Sequence, residues 1–219
     1  MHDCGRNYLD VPSLCKVLDL MAAYKLNLFH WHITDYYGWR LESKKYPALQ
    51  APWAFRRQMS RYYTQKEFRE VLDYAKERGI TVMPELDVPG HTLAFRKGLN
   101  IEHMAERRVK GIVCDLIDEL CSLATPEEMP YIHLGTDEAR TPWEQVPDSY
   151  CPAWAAQVRK NGRIPVGWTP GKPMIGEDGQ KSVKMIWQGG FKPEAEKNIL
   201  TNEATAGPSI RTPESFQYP

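Results

Sequence analysis

The sequence predicts an α/β fold, a (β/α)8 TIM barrel left incomplete, on three observations. Short apolar runs alternate with helical segments; most of those runs exit into polar or ionisable residues; and about seven such runs fall within the 219 residues. Strand–helix alternation favours a parallel sheet covered by helices, and chemistry on a barrel collects where strands end.

Taken in order, His2–Cys4 reads as a short extended stub. Pro12–Tyr24 carries Leu14, Val17, Leu18 and Met21 at helical spacing, with Ser13 near its start. Asn27–Ile33 (NLFHWHI) reads as a strand, in which Trp31 faces the outer helices. Gln65–Arg78 reads as a helix stopped by Gly79. Ile80–Glu85 is the next strand, with Pro84 near its exit, where a lost donor matters least. Ile101–Leu123 reads as mostly helical, Tyr131–Gly135 as a strand and Asp148–Asn161 as a helix. Ile164–Trp168 and Val183–Trp187 follow as strands, then a short helix Pro193–Lys197 before Ile199–Thr201. The first strand looks clipped, and the stretch Asn202–Pro219, rich in Pro, Ser, Thr and Gly, supplies no eighth. A complete barrel takes roughly 250 residues. The expectation is a single domain over 1–219, truncated at both ends, with 203–219 an irregular tail. Open sheet edges would favour a homo-oligomer.

Composition narrows the function classes. Lys+Arg and Asp+Glu balance at 28 each, so no global field steers the chain toward nucleic acid or anionic lipid. No apolar run is long enough to cross a bilayer, and no secretory leader is visible. Five cysteines without a CxxC pair imply neither a zinc site nor a disulfide framework. Seven Trp and eleven Tyr are many for this length, and their flat faces suit the apolar faces of sugar rings.

The predicted strand exits gather Arg6, then His30, His32 and Asp35, then Glu85, Asp87 and His91, then Asp137 and Glu138, then Trp168 and Trp187. A lone acid after a strand is more often a helix cap or an ion-pair partner than a catalyst. Barrel topology changes that weighing, because the exits converge on one mouth. Asp137 and Glu138 would point to opposite faces of a regular strand, so both reach one pocket only if the strand breaks, and Gly135 permits a break. Two carboxyls in a double-displacement glycosidase sit about 5–5.5 Å apart, an awkward separation for adjacent residues. Neighbours suit another division of labour, in which one protonates the leaving oxygen and the other steadies a nucleophile supplied by the substrate.

Several stretches make the sequence recognisable: DCGRNYLDV (Asp3–Val11), DLMAAYKLNLFHWHITDYYGWRLESKKYPAL (Asp19–Leu49), YYTQKEFREVLDYAKERGITVMPELDVPGHT (Tyr62–Thr92) and HLGTDEA (His133–Ala139), with weaker VGW (Val166–Trp168) and MIWQG (Met185–Gly189). It resembles family 20 glycoside hydrolases, the β-N-acetylhexosaminidases. The resemblance implies an exo-acting enzyme removing terminal β-linked GlcNAc or GalNAc from glycans by a retaining, substrate-assisted route through an oxazolinium intermediate, with no cofactor and no metal. It implies Glu138 as general acid/base and Asp137 as the residue that orients the 2-acetamido group. Arg6 would bind outer hydroxyls, Asp35 and His91 would form a dyad touching Glu138, Asp87 would stand behind Asp137, and Trp168 and Trp187 would wall the acetamido pocket. His32 is placed in the supporting shell, and Glu85 as a barrel-layer residue satisfied by Arg6 or His32. Family members are often secreted, periplasmic or lysosomal, and the chain itself does not reveal a compartment. Compared with the family pattern, the segment between His91 and Asp137 is short, and the late Tyr and late Trp have no secure counterpart.

Two rival readings remain. His30-x-His32 with His91, His133 and Asp137 superficially supplies the ligand set of a metal-dependent amidohydrolase. A carbohydrate-binding remnant without turnover would follow from an incomplete barrel. Tyr36, Tyr37 and Trp39 read equally as loop packing or as an outer sugar subsite.

Overall fold

In a computed structural model the described residues are 1–174 and 182–186. Trp187, the expected helix 193–197, the run 199–201 and the tail 203–219 lie outside them. In chain order the elements are β1 (His2–Asp3), α1 (Val11–Ala23), β2 (Leu28–His32), β3 (Thr34–Asp35), β4 (Gly38–Trp39), α2 (Gln65–Lys76), β5 (Thr81–Val88), α3 (Leu93–Leu99), α4 (Arg107–Cys121), β6 (Tyr131–Gly135), α5 (Tyr150–Lys160), β7 (Ile164–Thr169) and β8 (Val183–Ile186). Two 3-10 turns, Pro47–Gln50 and Pro52–Ala54, lie between β4 and α2.

The six longer-range strands form one sheet in the order β1-β2-β5-β6-β7-β8, every neighbouring pair parallel. Each new strand joins the same edge of the growing sheet. With right-handed crossovers this puts every helix on one face and curls the sheet, as in a barrel rather than a doubly wound sheet. The architecture is an incomplete TIM barrel. Against the helices lie Phe29, Trp31, Val82, Ile132 and Leu134, all nearly or fully buried. Trp31 stacks on Phe68 of α2 with ring centroids 5.1 Å apart, as the alternation of β2 requires. Helix α2 is fixed at its start by a capping box between Thr64 and Glu67.

Two elements depart from the sequence reading. β5 runs on to Val88, so Pro84 lies mid-strand rather than near its exit. The strand tolerates it because the paired register with β6 begins only at Glu85, and a bulge follows between Glu85 and Val88. The helical stretch expected over Ile101–Leu123 starts only at Arg107. Upstream of it stands α3, closed by Asn100 in the left-handed conformation.

Between β2 and α2 the chain makes a small antiparallel hairpin, β3–β4, rooted by Arg40. The Arg40 guanidinium is fully buried and donates to the carbonyls of Cys4, Gly5, Arg57, Gln58 and Arg61, tying β1 and the 57–61 loop to the hairpin. Gly38 is required beside it, since a Cβ there would lie 2.5 Å from the Arg40 Cζ. Trp39 is 3% exposed and packs on Phe95, so it belongs to the core and not to a sugar subsite.

Arg40→Met should leave those carbonyls without their donor and lower the unfolding free energy by more than about 3 kcal/mol. Urea denaturation followed by far-UV circular dichroism measures it, and a loss below 1 kcal/mol would show that the clamp is dispensable.

Candidate active site

The centre of the barrel is occupied by a carboxylate. Glu85 of β5 is fully buried, and its Oε2 lies 2.6 Å from His30 Nε2 and 2.6 Å from His32 Nδ1. Its Oε1 lies 3.1 Å from His133 Nδ1 and accepts a 2.8 Å hydrogen bond from Trp168 Nε1. These groups come from β2, β5, β6 and β7, on the inward-facing positions of four adjacent strands. The imidazoles and the indole also pack ring to ring, with His30 and His133 centroids 4.8 Å apart and His133 and Trp168 4.7 Å apart. Burial alone would raise the Glu85 pKa, but the charges of His133, His32 and His30 hold it well below the ordinary range, so Glu85 is ionised. Arg6 does not reach Glu85, contrary to one expectation; it pairs with Asp3 and Asp35 instead.

A relay of alternating charge leads from this centre to the mouth. His32 presents Nδ1 to Glu85 and Nε2 to Asp35 Oδ2 at 3.1 Å. Nε2 is hydrogen-bonded to Asp35, Nδ1 only borders Glu85, and a carboxylate on each side favours the charged imidazolium. Burial would pull the His32 pKa down, and Glu85, Asp3 and Asp35 together push it well above its usual value. Asp35 in turn meets Arg6 Nη2 at 3.0 Å and lies 3.8 Å from His91 Nδ1. His91 Nε2 lies 2.9 Å from Glu138 Oε2. The expected Asp35–His91 dyad is therefore a contact beyond hydrogen-bond reach, with Arg6 Nη2 bridging the two at 3.0 Å from Asp35 and 3.4 Å from His91 Nδ1.

Asp137 and Glu138 follow β6 on a broken backbone. Gly135, Thr136 and Glu138 have φ of +65°, +73° and +46°, so the strand alternation ends where two neighbouring acids must serve one mouth. At Gly135 a Cβ would lie 2.0 Å from Asp87 Oδ1, which fixes glycine there. Gly90 admits the Asp137 carbonyl in the same way, its would-be Cβ falling 2.6 Å from that oxygen. Asp87 therefore stands directly behind the broken strand.

Burial is unequal across the acid pair. Asp137 is 8% exposed, and burial, then the charges of Glu85 and Glu138, push its pKa up to about 7. Asp87 is likewise raised well above the usual range, first by burial and then by Glu85. Glu138 is more open, with its side chain 24% exposed, and is held between His91 and Arg140 Nη2. Arg140 was not singled out in the sequence, and no motif marked it. The Glu85 centre was legible in principle, since His30, His32, Glu85 and His133 all fall on inward positions of consecutive strands. Trp168 lies 8% exposed against this centre rather than as an open wall, and Trp187 is outside the described residues.

The amidohydrolase ligand set does not assemble. Among the described residues, His30 and His133 share Glu85 while His91 turns to Glu138, and the compact donor groups are the Glu85–His and Asp35–His clusters of the charge relay itself. None of the five cysteines is in a disulfide. Among the described residues no helix is long and apolar enough to cross a membrane.

Comparison with known proteins places these features. The model of the glycosyl hydrolase family 20 catalytic domain matches residues 1–110. A β-hexosaminidase of Porphyromonas gingivalis is 32% identical over 188 residues, covering 74% of this chain and 23% of the relative. The solved chitobiase of Flavobacterium johnsoniae is 29% identical with a TM-score of 0.73, covering 86% of this chain and 33% of that one. An exo-β-N-acetylglucosaminidase of Vibrio harveyi, solved with N-acetylglucosamine, is 28% identical with a TM-score of 0.72, covering 88% and 38%. The chain spans under a third of the length of the curated relatives compared, at 23%, 18% and 28%.

The raised Asp137 pKa carries a stability consequence. Folding disfavours the ionised form, so Asp137 costs nothing below its unfolded value near 3.8. It costs progressively more as pH rises toward about 7, reaching up to about 4 kcal/mol above it. Asp137→Asn should therefore be more stable than the wild type at pH 8, with the gap closing by pH 4. Thermal melts across that range check it, and a gap independent of pH would contradict the burial argument.

Proposed function

The chain belongs to glycosyl hydrolase family 20, and we propose that it takes the terminal β-linked N-acetylhexosamine of a glycan into the mouth of this barrel and hydrolyses it by a retaining, substrate-assisted reaction. The observation that carries this reading is the pair Asp137–Glu138. Two adjacent acids lie on a strand broken by left-handed residues, one buried and one open to the mouth and touched by His91.

In this reading Glu138, the more accessible carboxyl, protonates the glycosidic oxygen and later takes a proton from the attacking water. Asp137 orients the 2-acetamido group so that its carbonyl oxygen attacks C1. It then faces the cation that develops on the oxazolinium ring, where a fixed negative charge is worth most in a dry site. A positive charge arriving beside Asp137 would also offset the charge of Glu85 and favour its ionised form. Arg6, set by Asp3 and Asp35, offers its remaining N–H groups to sugar hydroxyls. His91 positions Glu138; His32 and Asp87 hold Asp35 and the broken strand from behind. Trp168 forms the pocket floor. The names of the relatives support this substrate class: a chitobiase, an exo-β-N-acetylglucosaminidase and a β-hexosaminidase.

Glu138→Gln should lower kcat on N-acetyl-β-glucosaminides by about 10²–10⁴-fold, and Asp137→Asn by at least 10²-fold, with KM changing far less. Released N-acetylhexosamine measures this. If wild type and Glu138→Gln are equally inert, the hydrolase reading fails. Because Asp137 must be ionised in the free enzyme, kcat/KM should fall as pH drops through about 7. A flat profile between pH 6 and 8 would remove that role from Asp137.

A further inference from the structure

Tyr36 and Tyr37 form the turn of the β3–β4 hairpin, 42% and 36% exposed, their rings in an edge-to-face pair with centroids 5.2 Å apart. Two adjacent rings exposed on a turn are unlike the rest of this hairpin, whose Trp39 and Arg40 are buried. The turn is not loose. Its root is clamped by Arg40, and the Tyr37 carbonyl accepts from Arg56 N at 2.9 Å. Its position is set by the residue just before it, since Asp35 shares one carboxylate oxygen among Arg6, His32 and His91 at the mouth. Consecutive Cα atoms lie about 3.8 Å apart, so the tyrosines begin at the rim of the sugar pocket. The other exposed aromatics among the described residues fit the same pattern. Trp53 and Trp143 also lie on connections leaving the C-terminal ends of strands, and only Tyr24 lies at the opposite end.

We propose that the Tyr36–Tyr37 pair is the platform for the second sugar of the substrate, the residue across the scissile bond. The inference rests on the sugar-pocket reading above. An exo-acting site encloses the terminal residue, so the part of the glycan that reaches the rim is the residue on the leaving side. Two aromatic faces set at an angle offer one ring for stacking on the apolar face of a pyranose and a second to border it, and both phenol groups can bond to hydroxyls. The pair therefore selects for a glycan aglycone over a small one.

The test compares binding of N-acetylglucosamine with that of a non-hydrolysable, sulfur-linked N,N′-diacetylchitobiose by isothermal titration calorimetry. The wild type should bind the disaccharide about three- to ten-fold more tightly than the monosaccharide. The Tyr36→Ala/Tyr37→Ala double variant should bring that ratio close to one, and Tyr36→Phe/Tyr37→Phe should keep most of it. A wild type without disaccharide preference overturns the proposal. So does a double variant that keeps the ratio, or weakens both ligands by the same factor. Turnover of methyl N-acetyl-β-glucosaminide by the wild type is followed in parallel. A chain that prefers the disaccharide yet never cleaves this substrate keeps the platform and loses the hydrolase assignment.

Discussion

One buried carboxylate organises the barrel. Glu85 is fully buried; His30 and the Trp168 indole hydrogen-bond its two oxygens, and the imidazoles of His32 and His133 close around it. Every partner sits on a different strand or a different inward position, so the charge cannot be satisfied unless β2, β5, β6 and β7 are all in register. An apolar layer would tolerate small slips; this one does not, because a displaced histidine would leave a buried charge unpaired. The interior of this barrel thus trades some stability for a single arrangement of its strand ends.

That arrangement reaches the mouth through alternating charge. Glu85 fixes His32 as an imidazolium, His32 fixes Asp35, and Asp35 fixes Arg6 and borders His91, which touches Glu138. Each contact orients the next, so the position of the exposed acid is determined several residues away by groups that never meet solvent. The relay also sets polarity. Asp35 is held ionised against its own burial by His32, Arg6 and His91. Asp87 and Asp137 are pushed the other way, first by burial and then by Glu85, although His32 Nε2 lies 4.0 Å from Asp87. Carboxyls with opposite tendencies thus sit side by side at the strand ends, a pattern common to acid–base sites.

Much of this was legible in the sequence. Tyr131–Gly135 was placed to the residue, and β2, α1, α2, α5 and β7 within a few, because their periodicities were clear and Gly79 marked an end. The carboxyl pair, Arg6, His91 and Asp35 were found from strand-exit position and from motif, and they do gather at one mouth. What was missed depended on tertiary context. Pro84 argued for a strand exit, and only the bulge against β6 explains a strand that continues past it. The break between α3 and α4 hangs on a left-handed Asn100 that periodicity does not report. His32 does meet Glu85 as expected and Arg6 does not, while His30, His133 and Trp168 went unseen as partners, because a sequence shows which residues face inward but not how four inward residues share two oxygens. Arg140, two residues beyond Glu138, carried no signal at all.

The bulge in β5 and the break after β6 solve one problem together. A strand delivers alternate side chains to a barrel mouth, so adjacent residues Asp137 and Glu138 cannot both enter it from regular β6. Three left-handed residues turn that stretch, but such a backbone needs room on the neighbouring strand. The room comes from β5, where the extra residue between Glu85 and Val88 shifts Asp87, and from Gly90 and Gly135, where any Cβ would collide with Asp137 or Asp87. The Thr136 N–H then bonds the Val88 carbonyl at 3.0 Å, sewing the two irregular segments together. Asp137 sinks against this seam while Glu138 stays at the surface, and the difference in burial follows from the backbone alone. Under the proposed roles that difference is the division of labour itself: the group meeting the leaving oxygen and water must be reachable, and the group facing a transient cation works best where water is excluded.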